Sequence, residues 1–218
     1  AAMKDPGASD VAPPLPGPSS SSSASMSSKL SSSMPVRTMN VGVLTISDRA
    51  SAGTYKDESG PLLRKLITEM DFSPHEKKMA AKGLVTKSLE ARCIEANTDL
   101  VADDENAISK AVQALSTRCN LVLTTGGTGF GKRDVTPEAV KPLFDREAPG
   151  VAQALLAAGL KHTPLAVLAR PVVGVRGNTL IVTLPGSMKA ISENIEALSP
   201  LLPRIMELLM DGNDEAAH

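Results

Sequence analysis

Aromatic residues are scarce in this chain of 218 residues, which contains three Phe, one Tyr and no Trp. So few rings exclude the base-stacking platforms that single-stranded nucleic acids commonly require. The chain also has no large excess of positive or negative charge. Its 23 Lys and Arg residues nearly balance its 24 Asp and Glu residues, which leaves a formal net charge of -1. We therefore expect neither nucleic acid nor a membrane as a partner, and any anion has to be recognised locally.

Cysteine and long apolar runs are rare as well. Cys93 and Cys119 are the two cysteines, which is too few for a disulfide framework and gives no metal-ligand spacing, so a reducing compartment is expected. No run approaches the roughly 18 consecutive apolar residues that a membrane-spanning helix needs, and the serine-rich beginning lacks an apolar secretory segment. The sequence therefore predicts a cytoplasmic protein.

Composition divides the chain into three parts. Residues 1–38 are rich in proline and serine and poor in core-forming side chains, which predicts a disordered linker or tail. The serine bias is also typical of an organelle transit peptide, but Asp5, Asp10 and the small number of arginines favour a linker. Residues 39–211 fit one compact domain, and residues 212–218 are expected to form a flexible C-terminus.

Strand and helix patterns alternate through the domain. Strands are predicted at 41–46, within 89–101, at 121–125, at 166–168 and at 179–184, with a possible hairpin at 176–178. Helices are predicted from Pro61, after residues 103–105, at 149–160 and from 187 to about 210, with a break near Pro200 and Pro203 and an extra turn within 71–88. This alternation predicts an α/β fold with a mostly parallel sheet covered on both faces, and ligands beyond the carboxyl ends of the strands.

A glycine loop, defined here as residues 126–131, follows the apolar strand Leu121–Thr125. It contains four glycines in six residues, which let the backbone approach a ligand closely, and Thr136 is predicted to cap a helix that begins at Pro137. The pattern predicts an anion-binding site. The spacing Gly126-x4-Gly131-Lys132 matches the start of a P-loop, but Arg133 stands where a P-loop has Ser or Thr, and the next helix starts too late. A tight turn that binds nothing remains the simplest alternative.

Four segments are expected to meet at one edge of the sheet: Ser47-Asp48, Asp103-Asp104, residues 125–134 and Pro185-Gly186-Ser187. Each of the first three segments contributes an acid, and carboxylates beside a phosphate site call for a divalent cation, such as magnesium bound to nucleotide phosphates. Each segment also has a plain structural interpretation. Asp48 could start a turn, the aspartate pair could cap a helix, and Ser187 could be the N-cap of the last helix.

The chain resembles the molybdopterin adenylyltransferases, a family that includes bacterial Mog proteins, the G domain of gephyrin and the G domain of plant molybdenum-cofactor enzymes. The resemblance extends from about Val41 to Met210, and several long motifs in the same order make it specific. These motifs are Leu44-Thr-Ile-Ser-Asp48, Asp57-Glu-Ser-Gly-Pro61, Asp104-Glu-x-Ala-Ile108, Thr125-Gly-Gly-Thr-Gly-Phe-x-x-Arg-Asp-Val-Thr-Pro-Glu138, Arg146-Glu-x-Pro-Gly150 and Leu184-Pro-Gly186.

The resemblance implies a three-layer αβα sandwich that assembles as a homotrimer and works with a molybdate-insertion domain or protein. It also implies transfer of AMP from magnesium-ATP to the terminal phosphate of molybdopterin, with pyrophosphate as the second product. The implied catalytic residues are Asp48, Asp104 and Asp134, of which Asp104 and Asp134 would bind Mg²⁺. The implied nucleotide-binding residues are Thr125, Gly126, Gly127, Thr128, Gly129, Phe130 and Arg133, with Lys132 as a further phosphate contact. The implied substrate-binding residues are Ser47, Arg170, Pro185, Gly186 and Ser187.

Three positions depart from the family pattern. Ala169 stands where members commonly have Ser, Gly159 replaces a commonly polar residue, and Met188 replaces Pro in the final turn. Two other functions remain open: a non-catalytic trimeric scaffold like gephyrin, and a related domain of the molybdenum-insertion step. Retention of the three acids and of the complete glycine loop favours the enzyme.

Overall fold

The computed structural model describes residues 34–211. The interpretation of residues 212–218 as a flexible C-terminus, and that of residues 1–33 as part of a disordered tail, lie outside the described residues. The first strand begins at Val36 and thus includes residues that the sequence analysis assigned to the tail.

A mostly parallel sheet forms the centre of the domain. Its strands are β1 (Val36–Ile46), β2 (Ser88–Arg92), β3 (Thr98–Val101), β4 (Leu121–Thr125), β5 (Arg146–Glu147), β6 (Val173–Arg176) and β7 (Thr179–Leu184). The strand order is β2-β1-β4-β7-β6-β5, and β3 pairs with the second half of β1 while β2 pairs with its first half. β1, β2, β3, β4 and β7 run parallel to one another, whereas β6 is antiparallel to both of its neighbours, β7 and β5. β1, β4 and β7 therefore end at the same edge of the sheet.

Helices cover both faces of this sheet. They are α1 (Asp48–Ser51), α2 (Ser59–Thr68), α3 (Ser73–Ala80), α4 (Glu105–Ser116), α5 (Thr136–Val140), α6 (Pro149–Leu160), α7 (Met188–Leu198) and α8 (Leu202–Met210). Short 3-10 turns occur at Glu95–Asn97, Lys141–Leu143 and Pro164–Leu168.

Two hydrophobic cores separate the three layers. Successive residues of β4 alternate between them, since Leu121 and Leu123 pack into the core that contains residues of α2, α6, α7 and α8, whereas Val122 packs into the core formed with α4 and α5. This alternation is the period-two pattern of a strand buried on both faces. The three-layer α/β sandwich expected from the sequence is confirmed.

Several local predictions were wrong or incomplete. The strand predicted at 166–168 is part of the 3-10 turn Pro164–Leu168, because an apolar run this short does not distinguish a strand from a helical turn. The single strand sought within 89–101 is two strands, β2 and β3, separated by the turn Glu95–Asn97. α2 begins at Ser59 rather than at Pro61, and α5 begins at Thr136, so Thr136 is the first helical residue and not the cap.

The predicted hairpin is present between β6 and β7, where Gly177 adopts a φ of 55° in the turn. Within residues 34–211, no helix is both long enough and apolar enough to cross a membrane.

Candidate functional site

A cleft of about 520 Å³ lies at the carboxyl ends of β1 and β4, beside the turn that follows β7. The glycine loop contributes Gly126 and Gly127, and the cleft also contains residues from the loops after β1 and β3. Its lining consists of Thr45, Ile46, Ser47, Asp48, Arg49, Ala50, Tyr55, Asp57, Glu58, Ser59, Asp103, Thr125, Gly126, Gly127, Asp134, Gly186 and Met188. The structure therefore brings Ser47, Asp48, Asp134 and the start of the glycine loop together, as the topology predicts.

Two glycines fix the start of the glycine loop. Gly126 and Gly127 have φ values of 103° and 64°, which other residues rarely adopt. A Cβ atom at Gly126 would lie 2.2 Å from the carbonyl oxygen of Ile46, and one at Gly127 would lie 2.3 Å from Thr136 Oγ1. Because both positions are crowded by fixed neighbours, no side chain fits there.

Asp134 orders the far end of the glycine loop through hydrogen bonds with Gly131. Its Oδ2 atom accepts a hydrogen bond of 2.7 Å from the N–H of Gly131, and the N–H of Asp134 donates to the Gly131 carbonyl at 2.9 Å. A Cβ atom at Gly129 would lie 2.8 Å from the same carboxylate oxygen. One oxygen of Asp134 thus orders the loop, and no other residue in the described part of the chain donates to Oδ1.

The carbonyl groups of residues 126–129 accept hydrogen bonds, and the N–H of Gly126 donates to the Leu184 carbonyl at 3.1 Å. Thr136 Oγ1 donates to the Gly126 carbonyl at 2.9 Å, and the N–H of Thr136 donates to Gly127 at 3.0 Å. Within residues 34–211, no hydrogen bond is made by the N–H groups of residues 127–130. Unbonded successive N–H groups in a glycine-rich turn are typical of an anion site.

Asp48 and Asp103 are joined by reciprocal hydrogen bonds. The N–H of Asp48 donates to Asp103 Oδ2 at 2.8 Å, and the N–H of Asp103 donates to Asp48 Oδ1 at 3.0 Å. Arg133 adds a bidentate contact, in which Nε and Nη2 donate to the Asp48 carboxylate at 2.9 and 2.8 Å. The Arg133 hydrogen bond lowers the pKa of Asp48, whereas burial raises the pKa of Asp103.

Asp104 has a different environment from its neighbour. Its carboxylate accepts a hydrogen bond of 2.9 Å from the N–H of Ala107 and so caps α4, while the side chain is exposed and does not line the cleft. Of the two adjacent acids, Asp103 is therefore the one in the cleft wall. The capping interpretation applies to Asp104.

The described residues contain no group of three or more His, Cys, Asp or Glu side chains that could hold a metal ion by themselves. A magnesium ion needs only one or two carboxylates when substrate phosphates and waters supply its other ligands. Asp134 and Asp103 lie in one cleft with the glycine loop, and within residues 34–211 Asp134 Oδ1 accepts no hydrogen bond, so the donor set fits an ion that arrives with a nucleotide.

The other predicted residues lie around the cleft. Pro185 and Ser187 line an adjacent apolar cavity of about 230 Å³ together with Ala169, and Ser187 caps α7. Phe130 is 71% exposed, and the Arg170 guanidinium lies 5.7 Å from the centre of its ring. Arg170 and the residues Thr128–Phe130 do not line the main cleft.

Two acids near the loop were given no role by the sequence analysis. Asp57 Oδ2 accepts a hydrogen bond of 2.8 Å from Thr45 Oγ1, and Asp57 Oδ1 accepts one of 3.1 Å from the N–H of Gly60 at the start of α2. Glu138 pairs with Arg170, whose hydrogen bond lowers the pKa of Glu138. Asp57 and Glu138 both lie in the motifs that carry the family resemblance. This position was the only indication in the sequence that they belong to the site.

Comparison with known proteins gives a consistent result. Residues 42–204 match the family described as a probable molybdopterin binding domain. The molybdopterin adenylyltransferase of Helicobacter pylori strain J99 is 34% identical over 177 residues, which cover 80% of this chain and 90% of that protein. The molybdopterin adenylyltransferase of Escherichia coli K12 is 37% identical over 163 residues, or 75% of each chain.

Gephyrin of Dictyostelium discoideum is 41% identical over 169 residues, but the match covers 78% of this chain and only 22% of gephyrin. Among solved structures, the molybdopterin biosynthesis enzyme MoaB of Thermus thermophilus has a TM-score of 0.65 and 36% identity, and the alignment covers 79% of this chain and 97% of MoaB. A molybdopterin biosynthesis protein of Mycobacterium abscessus has a TM-score of 0.64 and 32% identity, covering 80% and 98% of the two chains.

Proposed function

The chain belongs to the family of molybdopterin-binding domains, and on that premise we propose that it is a molybdopterin adenylyltransferase of molybdenum cofactor biosynthesis. The reaction is transfer of AMP from ATP to the terminal phosphate of molybdopterin, in which a phosphate oxygen of the pterin attacks the α-phosphorus and pyrophosphate leaves. The observation that carries this proposal is the cleft that Gly126 and Gly127 of the glycine loop line together with Asp134.

The glycine loop is proposed to bind the nucleotide phosphates. Thr125 to Phe130 would hold the adenylate, with the unbonded N–H groups of residues 127–130 as donors. Phosphoryl-type transfer depends mainly on alignment and on charge neutralisation, and backbone donors supply both without a covalent step. Arg133 is held by Asp48, so its charge stays at the cleft rim, where it and Lys132 would stabilise a phosphate.

The acids are proposed to position a magnesium ion and the triphosphate. Asp134 and Asp104 are the ligands that the family resemblance implies, and Asp103 is an additional cleft acid in this chain. When bound, Mg²⁺ would neutralise charge on the transferring and leaving phosphates. Ser47 and the turn Pro185-Gly186-Ser187 would contact the pterin, since the turn lies between the main cleft and the apolar cavity.

The protein is also proposed to act as a cytoplasmic homotrimer that passes its product to a molybdate-insertion domain or protein. The family resemblance supports the trimer. The apolar side chains of Leu165, Val167 and Leu168 are exposed and would be buried by a subunit contact. Multi-angle light scattering on the purified full chain tests the trimer, and a monomeric mass at working concentration would overturn it.

A direct assay tests the activity. The full chain is mixed with molybdopterin, ATP and MgCl₂, and pyrophosphate release and adenylylated pterin are measured together. We expect the two products in equal amounts and neither when ATP or molybdopterin is omitted. If no product forms at high protein concentration while molybdopterin still binds, the non-catalytic scaffold replaces the enzyme as the better proposal.

A further inference from the structure

Arg170 makes an unusual set of contacts with the glycine loop. Its backbone N–H donates to the Thr128 carbonyl at 2.9 Å, its Nε donates to the Gly129 carbonyl at 2.8 Å, and its Nη2 donates to the Asp134 carbonyl at 2.7 Å. The remaining nitrogen, Nη1, pairs with the Glu138 carboxylate. One residue thus binds carbonyl groups on both sides of the turn at Gly131.

These contacts complete a pattern that Thr136 begins. Thr136 binds the carbonyls of Gly126 and Gly127, and Arg170 binds those of Thr128 and Gly129, so all four successive carbonyls are held by two residues. In a planar trans peptide the C=O of one residue and the N–H of the next point in opposite directions. Each carbonyl that is bound by Thr136 or Arg170 therefore directs the N–H of the next residue away from that binding residue. This applies to the N–H groups of residues 127–130.

We propose that Arg170 is a positioning residue that sets the N–H groups of the glycine loop for phosphate binding, and that Glu138 orients its guanidinium. Arg170 then acts through the loop and does not bind the pterin, which differs from the role the resemblance implied. Its guanidinium is occupied by two backbone carbonyls and one carboxylate, and it does not line the cleft. This inference rests on the proposed function, because it assigns the phosphates of that reaction to the loop.

A planar guanidinium fork is needed for this role. Lysine carries the same charge but presents a single compact donor group, which cannot reach the Gly129 and Asp134 carbonyls and Glu138 together. Arg170→Lys and Arg170→Met are therefore expected to behave alike if the residue acts through geometry. If the residue instead bound a substrate anion through its charge, Arg170→Lys would retain most of the wild-type affinity.

The test compares these two variants with wild-type protein and with Arg176→Met. Arg176 is the matched control, because it also donates to a backbone carbonyl, that of Leu143 at 3.1 Å, but lies at the hairpin away from the cleft. Binding of magnesium-ATP is measured by calorimetry, and the KM values for ATP and molybdopterin are measured separately. We expect Kd and KM for ATP to rise about tenfold in both Arg170 variants, as for a loss of one or two hydrogen bonds. The KM for molybdopterin and all values for Arg176→Met should stay within twofold.

A second measurement needs no activity. Amide hydrogen exchange of Gly131 and Asp134, which bond to each other across the turn, should be at least tenfold faster in both ligand-free Arg170 variants than in wild type. Wild-type exchange in Arg170→Met, or wild-type ATP affinity in Arg170→Lys, would overturn the inference. If wild-type protein itself fails to turn over, the proposed function fails, and amide exchange still decides the role of Arg170.

Should Arg170→Met not fold, Glu138→Gln replaces it. The Glu138 side chain is half-exposed, so its loss should cost only about threefold in ATP affinity, in the same direction. An unchanged ATP affinity together with unchanged exchange at Gly131 in Glu138→Gln would remove Glu138 from the proposal.

Discussion

The carboxylate of Asp48 shows how single side chains set the electrostatics of the cleft. Asp48 is the first residue of α1, just after β1, and Arg133 contacts both of its carboxylate oxygens while the Asp103 N–H bonds to one of them. The Arg133 contact favours the ionised form and lowers the pKa of Asp48. Because the folded pKa is depressed, the stabilisation from this pair is present above the ordinary aspartate range and is lost as the pH falls through the lowered folded value.

The first prediction concerns this titration. In Arg133→Gln the pKa of Asp48 should rise towards the ordinary aspartate value, because the hydrogen bonds and the positive charge are removed together. Carboxyl carbon shifts measured by NMR between pH 2 and pH 6 would report it. Lys132→Gln, which removes the adjacent charge, is the control and should leave the Asp48 midpoint low. An Asp48 midpoint that is the same in Arg133→Gln and in wild type would show that the pair does not form in solution.

The second prediction concerns Ala169, where the family commonly has serine. Ala169 lines the apolar cavity that also contains Ser187, so Ala169→Ser would return a hydroxyl next to the proposed pterin site. We expect several-fold faster turnover of the adenylyl transfer with an unchanged melting temperature. Ala166→Ser adds a hydroxyl to the same cavity at a different position and should not raise the rate. Equal rates for Ala169→Ser and wild type would show that this hydroxyl is dispensable.

At the scale of elements, the glycine loop joins β4 to α5 through a backbone path that only glycine can follow. The third prediction is that Gly126→Ala destroys the site, since a Cβ atom would lie 2.2 Å from the Ile46 carbonyl at a φ of 103°. Nucleotide binding should fall below detection by calorimetry. Gly150→Ala, in the first turn of α6 with nothing within 4 Å of the new atom, should bind normally and be as stable as wild type or up to about 1 kcal/mol more stable. Normal binding by Gly126→Ala would contradict the loop geometry.

A buried arginine attaches the last helix to the first strand. The Arg37 side chain is 4% exposed, lies 2.7 Å from Glu207 of α8 and pairs with Asp211. The Arg37 hydrogen bonds help to keep the pKa values of both acids below their ordinary range, although burial of Glu207 acts in the opposite direction. By linkage, this contribution is present above the ordinary carboxylate pKa and is lost as the pH falls through the lowered folded values.

The fourth prediction follows from this ion pair. Arg37→Met should lower the free energy of unfolding at pH 7 by about 3 kcal/mol, because Glu207 would be left without its partner in a buried setting. Urea unfolding would measure it, and the difference from wild type should shrink as the pH falls below about 4, where the carboxylates of the unfolded chain become protonated before those of the folded protein. Arg92→Met, at an exposed position on neighbouring β2, is the control. If Arg37→Met lowers the free energy of unfolding no more than Arg92→Met does, Arg37 contributes little to stability.

The sequence predicted those elements whose hydrophobic pattern was long or ended at residues typical of a turn. β4 and the glycine loop were predicted correctly because β-forming residues end abruptly at clustered glycines. The 3-10 turn Pro164–Leu168 was mistaken for a strand because its run of apolar residues is too short to show either the period of a strand or that of a helix. The different environments of Asp103 and Asp104 could not be predicted either, since the direction of the backbone at the start of α4 decides which acid caps the helix.

At the scale of the whole molecule, the site exists because the sheet brings distant segments to one edge. β1, β4 and β7 end together, so residues near 47, 103, 126 and 186 form one cleft although long stretches of sequence separate them. The convergence was predicted from the order of the elements. The contacts of Arg170 were not, because they depend on the path of the chain between α6 and β6, which the apolar residues of that segment do not specify.

The decisive measurement is the rate of adenylyl transfer by Asp134→Asn, because Asp134 lines the cleft and also bonds to the glycine loop. Asparagine can still accept the Gly131 hydrogen bond, so the loop should persist, whereas the loss of charge should slow turnover by two to three orders of magnitude or more, about the effect of removing one electrostatic contact to a transition state. Asp145→Asn, at the distant hairpin where Asp145 accepts from Gly177, is the matched control and should react at the wild-type rate. We expect a folded Asp134→Asn protein that makes almost no adenylylated molybdopterin, and wild-type rates in that variant would overturn the proposed role of this cleft.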